Sequence, residues 1–190
     1  MEVNKADFAG SADFQVDTRM STIEWRGTQN VSNKTHTGNL SLKEGTLLVK
    51  EGQLVGGKVM IDMNSITVTD LKGNSKGKLE GHLKADDFFG AETYPTATFE
   101  IASITPVDTI GGATHMLAGN LTIKDITKSV SFPTQVRMVE DAVLATTLPF
   151  KINRTEWGVN YRSGLMGTIK DKIIEDEIGL TLKVRATLPK

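Results

Sequence analysis

Apolar and polar residues alternate with period two along most of this 190-residue chain. That period belongs to a strand with one face buried. The runs Phe14-Gln-Val16-Asp and Thr22-Ile23-Glu-Trp25 open the pattern. In His36-Thr-Gly38-Asn-Leu40-Ser-Leu42 the even positions share a face, and in Lys58-Val59-Met-Ile61-Asp-Met63 the odd ones do. Later runs are Gly119-Asn-Leu121-Thr-Ile123, Val130-Ser-Phe132, Leu148-Pro-Phe150-Lys-Ile152 and Ile178-Gly-Leu180-Thr-Leu182-Lys-Val184. Gly45 and Glu51-Gly52-Gln53 are read as hairpin turns, and Asp125 to Lys128 as a tight hairpin. Helical signal is scarce. Ser75 to Lys84 fits one short helix with Leu79, His82 and Leu83 inward, and Asn153 to Met166 is a second irregular segment.

Eight or more short antiparallel strands in one chain imply a sandwich or a barrel. A barrel of about eight strands can hold one small ligand, whereas a sandwich fills its interior with side chains. Pattern alone leaves that choice open. The length suits a single domain with a substantial core. No sequence period of repeat-protein length recurs.

Composition excludes several functions. A formal net charge of −1 provides no basic footprint for nucleic acid. The chain has no cysteine, hence no disulfide, thiolate metal site or cysteine nucleophile. No apolar run approaches membrane-spanning length, so a soluble protein is expected. Met1 to Asp13 is polar and rich in small residues, and is expected to be a flexible tether ahead of a domain over 14–190. It lacks the apolar core of a leader. Either the chain is cytoplasmic or Met1 stands where a leader has been removed.

Catalytic signals are weak. The three histidines, His36, His82 and His115, lack paired metal-binding spacing. Asp86-Asp87 suits a turn better than an acid/base pair. Ser65 and Ser103 lack a nucleophile-elbow setting. Gly56-Gly57 and Gly111-Gly112 lack the lysine and serine of a phosphate loop. Asp62 with His36 is the one pair worth testing for lipid chemistry. No enzyme activity, metal or cofactor is expected. The stronger signal is apolar. Trp25, Leu40, Val59, Ile61, Met63, Leu83, Phe88, Phe89, Phe99, Ile101, Leu121, Ile123, Phe132, Phe150 and Trp157 come from every part of the chain. In a barrel their faces converge on one interior. Aromatics are only 6% of the chain, so large rings do not plug that interior throughout.

The segment Gly81 to Ser103, GHLKADDFFGAETYPTATFEIAS, joins a short helix, twin phenylalanines, a Tyr94-Pro95 turn and a strand with Ala97, Phe99 and Ile101 on one face. It resembles the central signature of the YceI-like family of bacterial proteins, and the resemblance covers nearly the whole chain after Asp13. His36-Thr-Gly38 is similar to the family's His-x-Gly element. Gly119 to Lys128 is similar to its Gly-x-Leu-Thr-Ile hairpin, with Asp125 where glycine is usual. Arg154-Thr-Glu-Trp157-Gly158 is similar to its Arg-x-x-aromatic-Gly step. The resemblance implies an all-β, antiparallel, lipocalin-like closed barrel with one or two short helices and a deep apolar pocket. Its ligand would be a long-chain isoprenoid lipid, such as a polyprenyl lipid or an isoprenoid quinone. It also implies binding and carriage in the periplasm or cell envelope, and it transfers no catalytic residues. His36, Arg154 and Tyr161 are expected to meet a polar head group near the barrel mouth. Sheet edges and family habit make a homodimer an expectation. The rival reading is an envelope stress or interaction module with a filled core.

Overall fold

The structure is a computed structural model that describes residues 1–3, 8–29, 34–163 and 174–189. Ten strands follow in order: β1 Ala12–Val16, β2 Thr22–Thr28, β3 Thr35–Lys50, β4 Gln53–Val68, β5 Thr96–Ile110, β6 Ala113–Ile123, β7 Ile126–Val139, β8 Ala142–Thr147, β9 Phe150–Asn153 and β10 Glu177–Thr187. Helix α1, Gly73–Lys84, lies between β4 and β5, and a 3-10 helix, Arg154–Trp157, follows β9. Every pairing is antiparallel. The ring runs β2-β3-β4-β5-β6-β7-β8-β10 and closes where β10 returns to β2. β1 bridges the ends of β10 and β3, and β9 extends the β8 side along β10.

The chain is thus a closed antiparallel barrel of lipocalin type. In β4 the period-two pattern holds, and Val59, Ile61 and Met63 are all buried. Closure also removes the sheet-edge argument for a homodimer, because each ring strand pairs on both sides.

Two turn expectations are corrected. Gly45 lies inside β3, not at a hairpin. A Cβ there would meet Val16 Cγ2 at 2.9 Å and the Lys58 carbonyl at 3.0 Å, so this glycine serves a close approach of strands. The β6–β7 turn falls at Lys124-Asp125, with φ of 48° and 59°, and Ile126 to Lys128 already belong to β7. Two successive left-handed residues make a primed hairpin turn. Asp125 is a residue type that tolerates this conformation, so the missing glycine leaves the turn intact.

The expected tether is also not free of the barrel where it is described. Ala12 and Asp13 already pair with Val49 and Leu48, and the Phe8 ring packs over Gly56. The Met1 ammonium donates to Asn120 Oδ1 at 2.7 Å. Residues 164–166 of the expected irregular segment lie outside the described residues.

Candidate functional site: an apolar cavity with a polar rim

The ends of β2, β4 and β9 and the starts of β3 and β10 meet at one end of the barrel, together with α1 and the 3-10 helix. Helix α1 closes over this end. Lys76 and Glu80, one turn apart, lie 3.7 Å from each other. Glu80 Oε1 also accepts from the Val68 N–H at 2.8 Å, tying the helix to the end of β4. Lys124 Nζ donates to the Asp86 and Phe88 carbonyls, fixing the following loop to the β6–β7 hairpin. Leu83 and Phe88 are buried beneath this cover.

A cavity of about 290 Å³ runs from the rim into the barrel, walled chiefly by apolar side chains. An apolar cavity of roughly 150 Å³ already stays dry and takes up benzene. Of the residues expected at the site, Trp25, His36, Leu40, Ile61, Met63, Leu83, Phe88, Phe89, Phe99, Leu121, Ile123, Phe132, Phe150, Arg154 and Tyr161 line it. Val59, Ile101 and Trp157 are buried in the core without reaching its wall. The expected site left out Leu79 and His82, which the helix reading had turned inward, and passed over Ile23, Ile66, Val130, Ile152, Ile178, Leu180 and Leu182; all of these line it. The signal for the last three was the alternation of the closing strand itself.

The large rings form two groups. Phe132 stacks on Phe150 at 4.3 Å and lies 5.2 Å from Phe99. Near the rim, His82 contacts Tyr161 at 4.3 Å and Phe88 at 5.7 Å, both edge-on. Glycines make room for two rings. The Trp25 indole lies across Gly38, its direct partner on β3, and Phe99 lies over Gly119. A Cβ at Gly38 would fall within 2.6 Å of the indole and collide with the Thr67 carbonyl.

The polar groups differ in how completely they are satisfied. Arg154 is 1% exposed. Its guanidinium donates to the carbonyls of Val159 at 2.6 Å, Ile174 at 3.1 Å and Glu175 at 3.1 Å, and to Asp176 Oδ1 at 3.4 Å. It also lies 5.5 Å from the Phe88 ring centre. Burial lowers its pKa, partly offset by Asp176. Arg154, expected to meet a polar head group, is met instead by protein carbonyls and Asp176. Its donors are committed to two chain stretches that it holds together. Trp157 is similarly committed, its Nε1–H donating to the Leu121 carbonyl at 3.0 Å.

His36 pairs with Asp70, not Asp62: Nδ1 and Oδ2 lie 2.7 Å apart. Asp62 lies between Ile61 and Met63, so its side chain faces away from them across the strand, and its Oδ1 accepts from the Asn64 N–H. Burial disfavours the charged form of Asp70. The Thr37 N–H, the His36 ring and a further backbone bond outweigh it and hold the carboxyl below its ordinary value. Among the described residues no group of three or more His, Asp or Glu side chains is placed to hold a metal ion.

Residues 14–186 match the sequence pattern of the YceI-like domain. The chain belongs to the YceI-like family. Fold neighbours agree with that membership. The structure of BcnA from Burkholderia cenocepacia superposes with a TM-score of 0.66 at 22% identity, covering 90% of this chain and 99% of that one. A polyisoprenoid binding domain from Saccharophagus degradans gives 0.64 at 14% identity, covering 93% and 98%. The YceI protein of Campylobacter jejuni gives 0.57 at 19% identity, covering 78% and 84%. In sequence, UPF0312 protein SA2479 of Staphylococcus aureus strain N315 is 30% identical over 92 residues, 45% of this chain and 49% of that protein. The chain thus spans about half the length of the curated relatives it matches. Among the described residues, no helix of this YceI-like protein is long and apolar enough to cross a membrane.

Proposed function

We propose that this YceI-like protein binds a long-chain apolar lipid inside its barrel, an isoprenoid chain such as a polyprenyl lipid or an isoprenoid quinone, and shields it during carriage or storage. The observation that carries this reading is the apolar cavity of about 290 Å³ within a closed barrel. Family membership supports it, as does the fold shared with a polyisoprenoid binding domain. Burying ten methylene equivalents contributes about 8 kcal/mol gross, at about 0.8 kcal/mol each. Ordering the chain and its lost translational freedom offset several of these. Micromolar affinity then needs no charged contact.

The proposed role is binding without bond chemistry, in the periplasm or cell envelope. Asp62 is not positioned to serve His36, which supports a carrier over a lipid-modifying enzyme. Titration with a 20-carbon isoprenoid, followed by displacement of an environment-sensitive apolar dye, tests the reading. Stoichiometric displacement with micromolar affinity is expected. A protein that takes up neither dye nor isoprenoid has no usable cavity, and the reading fails.

A further inference from the structure

The apolar cavity stops partway down the barrel. On four strands the lining ends at one inward residue, and the next inward residue away from the rim is buried without reaching the cavity. Leu40 gives way to Leu42 on β3, Ile61 to Val59 on β4, Phe99 to Ile101 on β5 and Leu182 to Val184 on β10. The deeper side chains belong to one continuous packed core. Phe132 and Phe150 are likewise the deepest lining residues of β7 and β9. The rings of Phe99, Phe132 and Phe150 form a row, with successive centres 5.2 Å and 4.3 Å apart. Gly119 lets that row cross β6, because a Cβ there would meet Phe99 Cζ at 2.7 Å. The row is a floor of rings laid on a filled lower barrel.

The space above the floor is short. Along β4 the lining runs from Ile61 to Ile66, roughly 16 Å of strand at about 3.3 Å per residue. A strand tilt of about 40° leaves roughly 12 to 13 Å along the barrel axis. An extended chain advances about 1.2 Å per bond, as a polypeptide does, so about ten bonds fit, or roughly two to three isoprene units of about four bonds each. Volume gives the same answer. An apolar cavity of roughly 150 Å³ takes up one benzene, so one of about 290 Å³ has room for roughly twelve carbons.

Building on the lipid-binding reading, we propose that the Phe99, Phe132 and Phe150 floor is a length stop, and that the protein grips only the terminal isoprene units of its ligand, about two to three of them, tail first. A polar head among these rings would lose its hydrogen bonds to water, so the hydrocarbon end leads. The rest of a longer chain, with its head group, stays at the rim.

Dye displacement by alcohols of rising length (prenol, geraniol, farnesol and geranylgeraniol) reads the stop on the unaltered protein. Affinity is expected to rise roughly tenfold or more per isoprene unit as far as farnesol, because each added unit is buried. The last unit, in geranylgeraniol, should add less than about threefold, because it stays outside. Ala97 lines the wall one inward position above Phe99. Ala97→Leu fills part of that space, so the plateau should arrive one unit earlier. Phe150→Ala removes a partly buried ring from the row and should let the last unit of geranylgeraniol gain affinity. A step from farnesol to geranylgeraniol as large as the step before it overturns the length stop and leaves the lipid-binding reading standing. A plateau that Ala97→Leu leaves in place does the same, and this variant decides even if Phe150→Ala folds poorly, since it adds apolar volume to open space. Failure of the wild-type protein to bind either farnesol or geranylgeraniol overturns both.

Discussion

Two tryptophan sites in this barrel look alike in sequence and differ in their bonding. Trp157 is 1% exposed, donates to the Leu121 carbonyl and sits three residues after Arg154, whose donors are spread over three carbonyls and Asp176. Trp25 lies across Gly38 with its N–H unanswered among the described residues, as is the Nε2 of His82, another residue of the cavity lining. The first pair is frame: each polar atom is used internally, so the 3-10 helix, the stretch around Val159 and the entry to β10 hold one geometry. The second pair makes no such internal bond and is held by ring packing. Polar satisfaction, more than burial, separates scaffold from site here.

The largest expected break is on the frame side. Arg154→Ala leaves the Val159, Ile174 and Glu175 carbonyls without their donor and is expected to cost roughly 3–5 kcal/mol, measured by denaturant unfolding. Arg154→Lys should recover only part of this, because one ammonium cannot reproduce a planar fork of donors. A loss under 1 kcal/mol would mean that the clamp is ornamental.

Next in size is the cavity itself. Phe99→Asp places an uncompensated charge beside Phe132 and Gly119 and is expected to abolish retention of an isoprenoid probe. Leu121→Ala, which enlarges the same wall, should keep the fold at a cost of roughly 2–5 kcal/mol while changing the preferred chain length. If Phe99→Asp folds and binds as before, the strand's inward face is misassigned.

The tryptophans then sharpen the contrast directly. Trp157→Phe strands the Leu121 carbonyl and should cost roughly 1–3 kcal/mol. Trp25→Phe strands no partner in the protein and loses only packing over Gly38, so it should cost less than Trp157→Phe. Equal stability losses would erase the distinction.

The smallest effect is at the rim. Asp70 has a lowered folded pKa, so its contribution is present above its unfolded pKa near 3.8 and is lost as pH falls through the folded value. Asp70→Asn should therefore cost under about 1 kcal/mol at neutral pH and flatten the acid limb of the stability curve. Unchanged acid unfolding would remove Asp70 from that limb.

Strands were legible in the sequence because alternation reports burial directly. The central Phe88-Phe89 and Tyr94-Pro95 block then separated barrel from sandwich through the family it resembles. Gly45 shows what alternation hides. A glycine in a strand and a glycine in a turn read alike, and only the contact with Val16 and the Lys58 carbonyl tells them apart. Arg154 shows the limit for charge. A charged residue beside a cavity looks like a ligand partner until its carbonyls are located, and those come from residues up to 21 positions away. His36 found Asp70 instead of Asp62 because strand parity turns Asp62 away from the interior. The unpaired nitrogens of Trp25 and His82 had no sequence signal, since an unmade bond exists only in three dimensions.

The most direct test of the central claim is native mass spectrometry of the protein isolated from cells without detergent, with organic extraction of whatever accompanies it. One long-chain isoprenoid per chain is the expected result. A chain that emerges empty, and stays empty after incubation with quinone and polyprenyl lipid, would contradict the account.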